Sequence, residues 1–214
     1  MARTELGNGA NSGDTRRVAA IVLAAGDSRR MGKANKLLAK FSGTPLIRHV
    51  VERVLLSDVC HVAVVTGHES ADVSNTLRDL AVETVYNGDY VQGMGGSVAC
   101  GVQSLSYDIE GALICLGDMP WVGPQAINEI IACLDPENGA DICVPVFKGQ
   151  RGNPVLWGRR FFPELSALVG KTGGRQLLAR FADHVREIET ASRGVLMDID
   201  TPEDFAGKPN PRMP

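Results

Sequence analysis

At 214 residues the chain suits one domain of generous size, and a 44% hydrophobic content with few aromatics makes its core aliphatic. Lys and Arg number 22 against 25 Asp and Glu, a formal balance of −3 that excludes a general nucleic-acid surface but permits a local basic pocket. No apolar run approaches the roughly 20 residues of a membrane span.

Residues 1–17 are polar and Gly/Asn-rich, lack the apolar centre of a signal peptide, and read as a disordered tail. Residues 207–214 read as a second tail, which leaves 18–206 as a single domain. The five cysteines, Cys60, Cys100, Cys115, Cys133 and Cys143, cannot all pair within one chain and form no CxxC. They read as reduced core residues, which points to the cytoplasm.

Near-continuous apolar runs at 18–24, 61–66, 82–86, 111–117 and 141–146 suit strands covered on both faces. Helical spacing fills 45–57, 69–81, 96–105 and 124–134 between them. After 146 the pattern loosens through "QRGNPVLWG", a helix near 159–168, "GGRQLLARFADH", a strand "VREIE" and "VLMDIDTPEDF". The alternation predicts an α/β fold, a Rossmann-like, mostly parallel sheet flanked by helices on both faces. Ligands of such sheets bind beyond the carboxyl ends of the strands. Those ends carry Ala25-Gly26-Asp27, Thr66-Gly67-His68, Tyr86-Asn87-Gly88-Asp89 and Gly117-Asp118-Met119-Pro120.

The first of these ends opens into "IVLAAGDSRRMGKANKLL", a glycine-bounded loop with Arg29, Arg30, Lys33 and Lys36. It is not a Walker A loop: five residues separate Gly26 from Gly32, and Ala34 follows Lys33. It also lacks the G-x-G-x-x-G of dinucleotide sites, and "GMGGSVACG" at 93–101 lacks the third glycine. A phosphate chain still suits it, because small residues admit backbone N–H groups and Arg30 and Lys36 can neutralise a polyanion. Asp118, a short carboxylate at a strand end, suits Mg²⁺ held against phosphate oxygens. Asp198 and Asp200 alternate along an expected strand, so only one should face the site. Asp200-Thr201-Pro202-Glu203 reads equally as a helix start, and Ser97 as a helix cap whose helix end faces anions. The histidines His49, His61, His68 and His184 show no metal or base–nucleophile spacing.

"LAAGDSRRMGKANKLL" resembles the signature L-A-[AG]-G-x-[SG]-x-R-M-G-x-x-[NDP]-K of MobA-like NTP transferases. "YNGDYVQGMGGSVACGV", "CLGDMP", "RGNPVLW" and "DIDTPEDF" follow in the order of the molybdenum cofactor cytidylyltransferase branch. The resemblance implies a nucleotide-diphospho-sugar transferase type of fold and a cytoplasmic enzyme that transfers CMP from CTP to the terminal phosphate of molybdopterin. It implies catalytic roles for Arg30, Lys36 and Asp118, and Mg²⁺ or Mn²⁺ on Asp118 and Asp200. Nucleotide contacts would come from Leu23, Ala24, Ala25, Gly26, Arg30, Lys36, Thr66, Asn87, Gly95, Ser97 and Asp118, and partner contacts from Asn153, Lys171 and Arg175. An apo-molybdoenzyme is a further implied partner. Gly174 departs from the family's G-x-x-G-A-R. Guanylyl-transferring relatives read L-A-G-G, so the Ala25 methyl is expected to narrow the room for a purine. Alternatives are an acceptor that is a sugar phosphate or isoprenoid-precursor phosphate, and a nucleotide-binding chaperone without catalysis.

Overall fold

The computed structural model describes residues 16–27, 35–171, 173–201 and 204–205. Strand β1 (Val18–Ala24) is the axis of the fold, paired in parallel with β4 (His61–Thr66) on one side and β6 (Gly111–Leu116) on the other. A two-stranded hairpin, β2 (Lys40–Phe41) and β3 (Thr44–Pro45), lies between β1 and helix α1 (Leu46–Leu55) in the chain. Helix α2 (Ser70–Leu77), strand β5 (Glu83–Tyr86), helix α3 (Met94–Ser104) and helix α4 (Pro124–Ala132) continue the alternation. The remainder is β7 (Ile142–Phe147), β8 (Gln150–Arg151), β9 (Val155–Gly158), α5 (Phe162–Ser166), α6 (Arg175–Arg180) and β10 (Val185–Glu189).

Among the described residues the main sheet has eight strands, ordered β10-β7-β9-β6-β1-β4-β5, with β8 paired to β7. Strand β9 is antiparallel to both neighbours and β8 to β7, while the other pairings are parallel. The "RGNPVLW" stretch, expected to be irregular, therefore supplies an edge strand and an interior one. Its short apolar run, Val155 to Trp157, is buried completely enough to be a strand but too brief to announce itself by periodicity. The helix expected near 159–168 contracts to α5, after a single tighter turn at Arg159–Phe161. Residues 1–15 and 207–214 of the expected tails, and residue 206 of the expected domain, lie outside the described residues. Arg16 and Arg17 do not behave as tail: Arg16 pairs with Asp135, Arg17 with Asp108, and the Arg17 N–H donates to Glu110 Oε2 at 2.9 Å.

The alternation of side chains along β1 divides the core. Val18, Ala20 and Val22 face the helices α1, α2 and α4, meeting Ile47, Val51, Leu77 and Ile127. Ile21 faces the other way, toward Val98 and Val102 of α3, Leu165 of α5 and Leu177 of α6. Helix α1 buries Leu46, Ile47, Val50, Val51 and Val54, an i, i+4, i+8 stripe started by Pro45. All five cysteines are free, but only Cys115 and Cys143 are buried and Cys60 is exposed. Among the described residues no helix is long and apolar enough to cross a membrane.

Helix α3 approaches β1 closely because Gly101 has no side chain. A Cβ there would lie 2.4 Å from Ile21 Cγ2 and 3.0 Å from Val65 Cγ2, both on β-branched side chains with little rotamer freedom. Gly101→Ala should therefore destabilise the fold by about 1–3 kcal/mol through overpacking, measured as a lower urea midpoint at unchanged m-value.

Candidate active site

Three stretches meet beyond the carboxyl ends of β1 and β6. The first is 35–38. The Asn35 side chain accepts from the Leu37 N–H at 3.0 Å, and Leu37 is 4% exposed, anchored in the core beneath α1. Between these two fixed residues Lys36 turns toward the sheet edge. The second stretch is Gly117-Asp118, pressed against the end of β1: the Gly117 N–H donates to Leu23 O at 3.1 Å, and a Cβ at 117 would lie 2.8 Å from that oxygen. The third is 197–200, tied down by the Ile199 N–H donating to Asp118 O at 2.9 Å.

Lys36 Nζ donates to Asp118 Oδ2 at 2.6 Å, to Asp200 Oδ1 at 2.9 Å and to the Ile199 carbonyl at 2.9 Å. Burial pulls the ammonium's pKa down, but the charges and hydrogen bonds of Asp118 and then Asp200 outweigh it, so the pKa stands above the ordinary lysine value. Residues 197–200 are not a strand, so the expected alternation of Asp198 and Asp200 does not apply. Instead Asp118, Asp198 and Asp200 each bring an oxygen within 4.8 Å of the others. Burial and then the like charges of Asp200 and Asp118 raise the Asp198 pKa. Asp118 Oδ1 is buried with no hydrogen-bond partner among the described residues. Such an oxygen-only set with a lone pair to spare fits a hard divalent cation such as Mg²⁺ or Mn²⁺.

Asp204 holds this arrangement from behind. Its Oδ2 accepts from the N–H groups of Asp200 (2.9 Å) and Thr201 (2.8 Å) and from the Thr201 hydroxyl (3.0 Å). These bonds, the Asp200 N–H first, hold its pKa below the usual carboxylate range. Nothing in the chain's periodicity marks Asp204; the signal was its place four residues after Asp200 at a helix-start pattern.

A cavity of about 500 Å³ opens over this cluster. Of the expected site residues, Leu23, Ala25, Gly26, Lys36, Ser97, Asp118, Asp200 and Lys171 line it. Ala24 and Thr66 stand behind its wall; the Thr66 hydroxyl bonds Ser70 Oγ at 2.8 Å, fastening the start of α2 to β4. Asn87 is also buried, donating from Nδ2 to Ser97 Oγ at 3.0 Å. Ser97 is thus not a helix cap: α3 begins at Met94, and Gly93 precedes it with a φ of 123° that favours glycine. The Gly95 N–H donates to Gly170 O at 2.9 Å, and a Cβ at Gly93 would lie 2.5 Å from the same oxygen. Asn153 and Arg175 line a neighbouring cavity of about 630 Å³, and Lys171 and Met94 line both. Arg30, with Arg29 and Lys33, lies outside the described residues. Tyr90, Val91 and Met94 also line the first cavity; they lie in "YNGDYVQGMGGSVACGV", a stretch whose resemblance marks Asn87, Gly95 and Ser97 but not them.

A lysine–carboxylate cluster thus gathers at the carboxyl edge of the parallel strands, under a cavity with a second beside it, where ligands of open α/β sheets bind. A family model described as MobA-like NTP transferase domain matches residues 20–186, and the chain belongs to that family of nucleotidyltransferases. It is 31% identical over 194 residues to Purine catabolism protein PucB of Bacillus subtilis (strain 168), covering 86% of this chain and 92% of that one. Molybdenum cofactor cytidylyltransferase of Escherichia coli (strain K12) is 28% identical over 186 residues, with the same shares covered. The crystal structure of a Mycobacterium tuberculosis rv0371c homolog from mycobacterium sp. strain JC1 superposes with a TM-score of 0.77 at 26% identity, over 89% of this chain and 93% of that one. A structure of Rv0371C from M. tuberculosis H37Rv in complex with manganese has a TM-score of 0.75 at 23% identity, over 89% and 96%.

The Lys36 pairing has a testable pH signature. Because the native pKa is raised, its stabilisation is complete below the ordinary lysine value of 10.5 and fades as pH climbs through the higher native value. The urea midpoint of the wild-type protein should fall on that alkaline side more steeply than that of Lys36→Met.

Proposed function

We propose that this nucleotidyltransferase transfers CMP from CTP to the terminal phosphate of molybdopterin, or of the molybdenum cofactor, and releases pyrophosphate. The observation that carries the transfer chemistry is the Lys36–Asp118–Asp200 cluster beneath a cavity that adjoins a second one. An oxygen of the acceptor phosphate attacks the α-phosphorus, the bond from that phosphorus to the bridging oxygen breaks, and pyrophosphate leaves with the electron pair. The attacking phosphate is already ionised near neutral pH, so the protein supplies placement and charge rather than a general base.

Lys36 holds Asp118 and Asp200 together against their mutual repulsion. A triphosphate offers its ammonium competing anionic oxygens, so the same side chain can steady the leaving group. Asp118, Asp198 and Asp200 would hold the Mg²⁺ or Mn²⁺. When bound, the cation polarises phosphate oxygens and neutralises charge in the transition state. The amino end of α3, with Gly93 and Met94 on the cavity wall, adds the positive end of a helix dipole.

The second cavity offers room for the proposed acceptor. Val98, Ile114, Val144, Val155, Trp157 and Leu178 give it one apolar wall against which a ring system can lie, and Arg151 adds a polar group to the lining. Lys171 and Arg175 give its rim two cations for a phosphate, with Asn153 beside them. A planar heterocycle carrying a terminal phosphate matches both halves.

Pyrophosphate release should be measured for each of the four common NTPs against phosphorylated pterin, sugar and isoprenoid-precursor acceptors. Release with CTP and the pterin acceptor is expected; turnover confined to a sugar phosphate overturns the acceptor, and nucleotide binding without release for any acceptor overturns catalysis. Lys36→Ala and Asp118→Ala should each lower kcat about 10²–10³-fold while circular dichroism shows a folded chain. Asp204→Ala should weaken Mn²⁺ binding about 10-fold in calorimetric titration, since it frees the backbone that presents Asp200.

A further inference from the structure

Resting on the nucleotidyl-transfer reading, we infer that Tyr90, seated on Gly67, is the wall that sets which nucleobase the first cavity accepts. The strand order fixes the direction of a bound nucleotide. Asp118 follows β6, Ala25 and Gly26 follow β1, Gly67 follows β4 and Tyr90 follows β5, which are consecutive positions across the sheet. Three strand spacings separate the two ends, about 14 Å. All but Gly67 line one cavity, so phosphates held at Asp118 and Lys36 direct the base toward Tyr90.

Tyr90 is held firmly at that far end. A Cβ at Gly67 would lie 2.6 Å from both Cβ and Cγ of Tyr90 and 2.9 Å from the Ala25 Cβ. The root of the ring and the Ala25 methyl therefore pack directly onto the bare backbone of Gly67. The turn that carries Tyr90 is pinned on both sides: Asn87 Oδ1 accepts from the Asp89 N–H at 3.0 Å, and the Gly93 N–H donates to Tyr90 O at 3.2 Å. The ring also lies tilted beside that of His68, with centroids 6.3 Å apart. A ring fixed at its base and backed by a neighbour cannot step aside for a larger ligand. It leaves room for the single ring of a pyrimidine and obstructs the second ring of a purine, which is discrimination by exclusion.

The test compares Tyr90→Ala, Tyr90→Phe and Gly67→Ala with the wild-type chain, using competition of CTP and GTP against a labelled nucleotide and pyrophosphate release with both. Tyr90→Ala should shift the CTP-to-GTP ratio toward GTP by about 10-fold or more, and Tyr90→Phe should keep the wild-type ratio because the bulk of the ring remains. Gly67→Ala, where it folds, should shift the ratio the same way as Tyr90→Ala by displacing the ring. A ratio unmoved by Tyr90→Ala overturns the inference, as does an equal shift in Tyr90→Phe or a wild-type preference for GTP. Absence of nucleotide binding by the wild-type chain would instead strike the nucleotidyl-transfer reading itself, which makes the two failures distinguishable.

Discussion

Lys36 is a cation surrounded by acceptors that repel one another. Asp118 and Asp200 are separated by 82 positions in the chain, and each is linked to Lys36 by a short contact in a half-buried setting. Taking a lone ammonium or a pair of carboxylates out of water would be costly, and the cost is met only because all three arrive together with a backbone carbonyl. The local architecture serves this meeting. Leu37 is embedded to aim Lys36, Gly117 is bare so that Asp118 can sit against β1, and Asp204 gathers the backbone beneath Asp200.

The same cluster explains why the edge of the sheet is chemically useful. A hard cation and an ammonium seek the same carboxylate oxygens, and a triphosphate seeks both. The arrangement is a site of exchangeable partners, where each charged group has alternatives of similar strength close by. A transferase needs this property, since it must grip the nucleotide and then release pyrophosphate. On the proposed reading the neighbouring cavity answers a different need: its apolar wall would take the acceptor's ring system and Lys171 and Arg175 would meet its phosphate.

Much of this is legible in the chain because the inner parallel strands are covered on both faces, while the edge strands β5 and β10 are largely exposed. Runs such as "VAAIVLA" and "GALICLG" are unbroken and hard to read otherwise, so strands β1 and β6 and the residues at their ends emerged together. Strand β9 escaped because its four residues give no period, and its insertion between β6 and β7 depends on pairing across the fold. Asp198 was expected to face away because alternation presumes an extended strand, and the backbone there is irregular. Ser97 has the residue type of a cap, yet the helix starts three residues earlier and its hydroxyl accepts from Asn87 instead. Thr66 sits at a strand end as expected, but its side chain turns inward to Ser70. Residue type and position gave the edge; the direction of each side chain depended on long-range packing.

Residues 93–95 and 169–171 meet backbone to backbone where the two cavities adjoin. Gly93 and Gly95 lean on the backbone of Val169 and Gly170, and Lys171 emerges from that contact to face both spaces. With no methyl or methylene to act as a cushion, a shift of one segment is handed directly to the other. On the proposed reading, the spacing between the two substrates is then gauged by bare peptide planes, and a larger residue at the joint would change it.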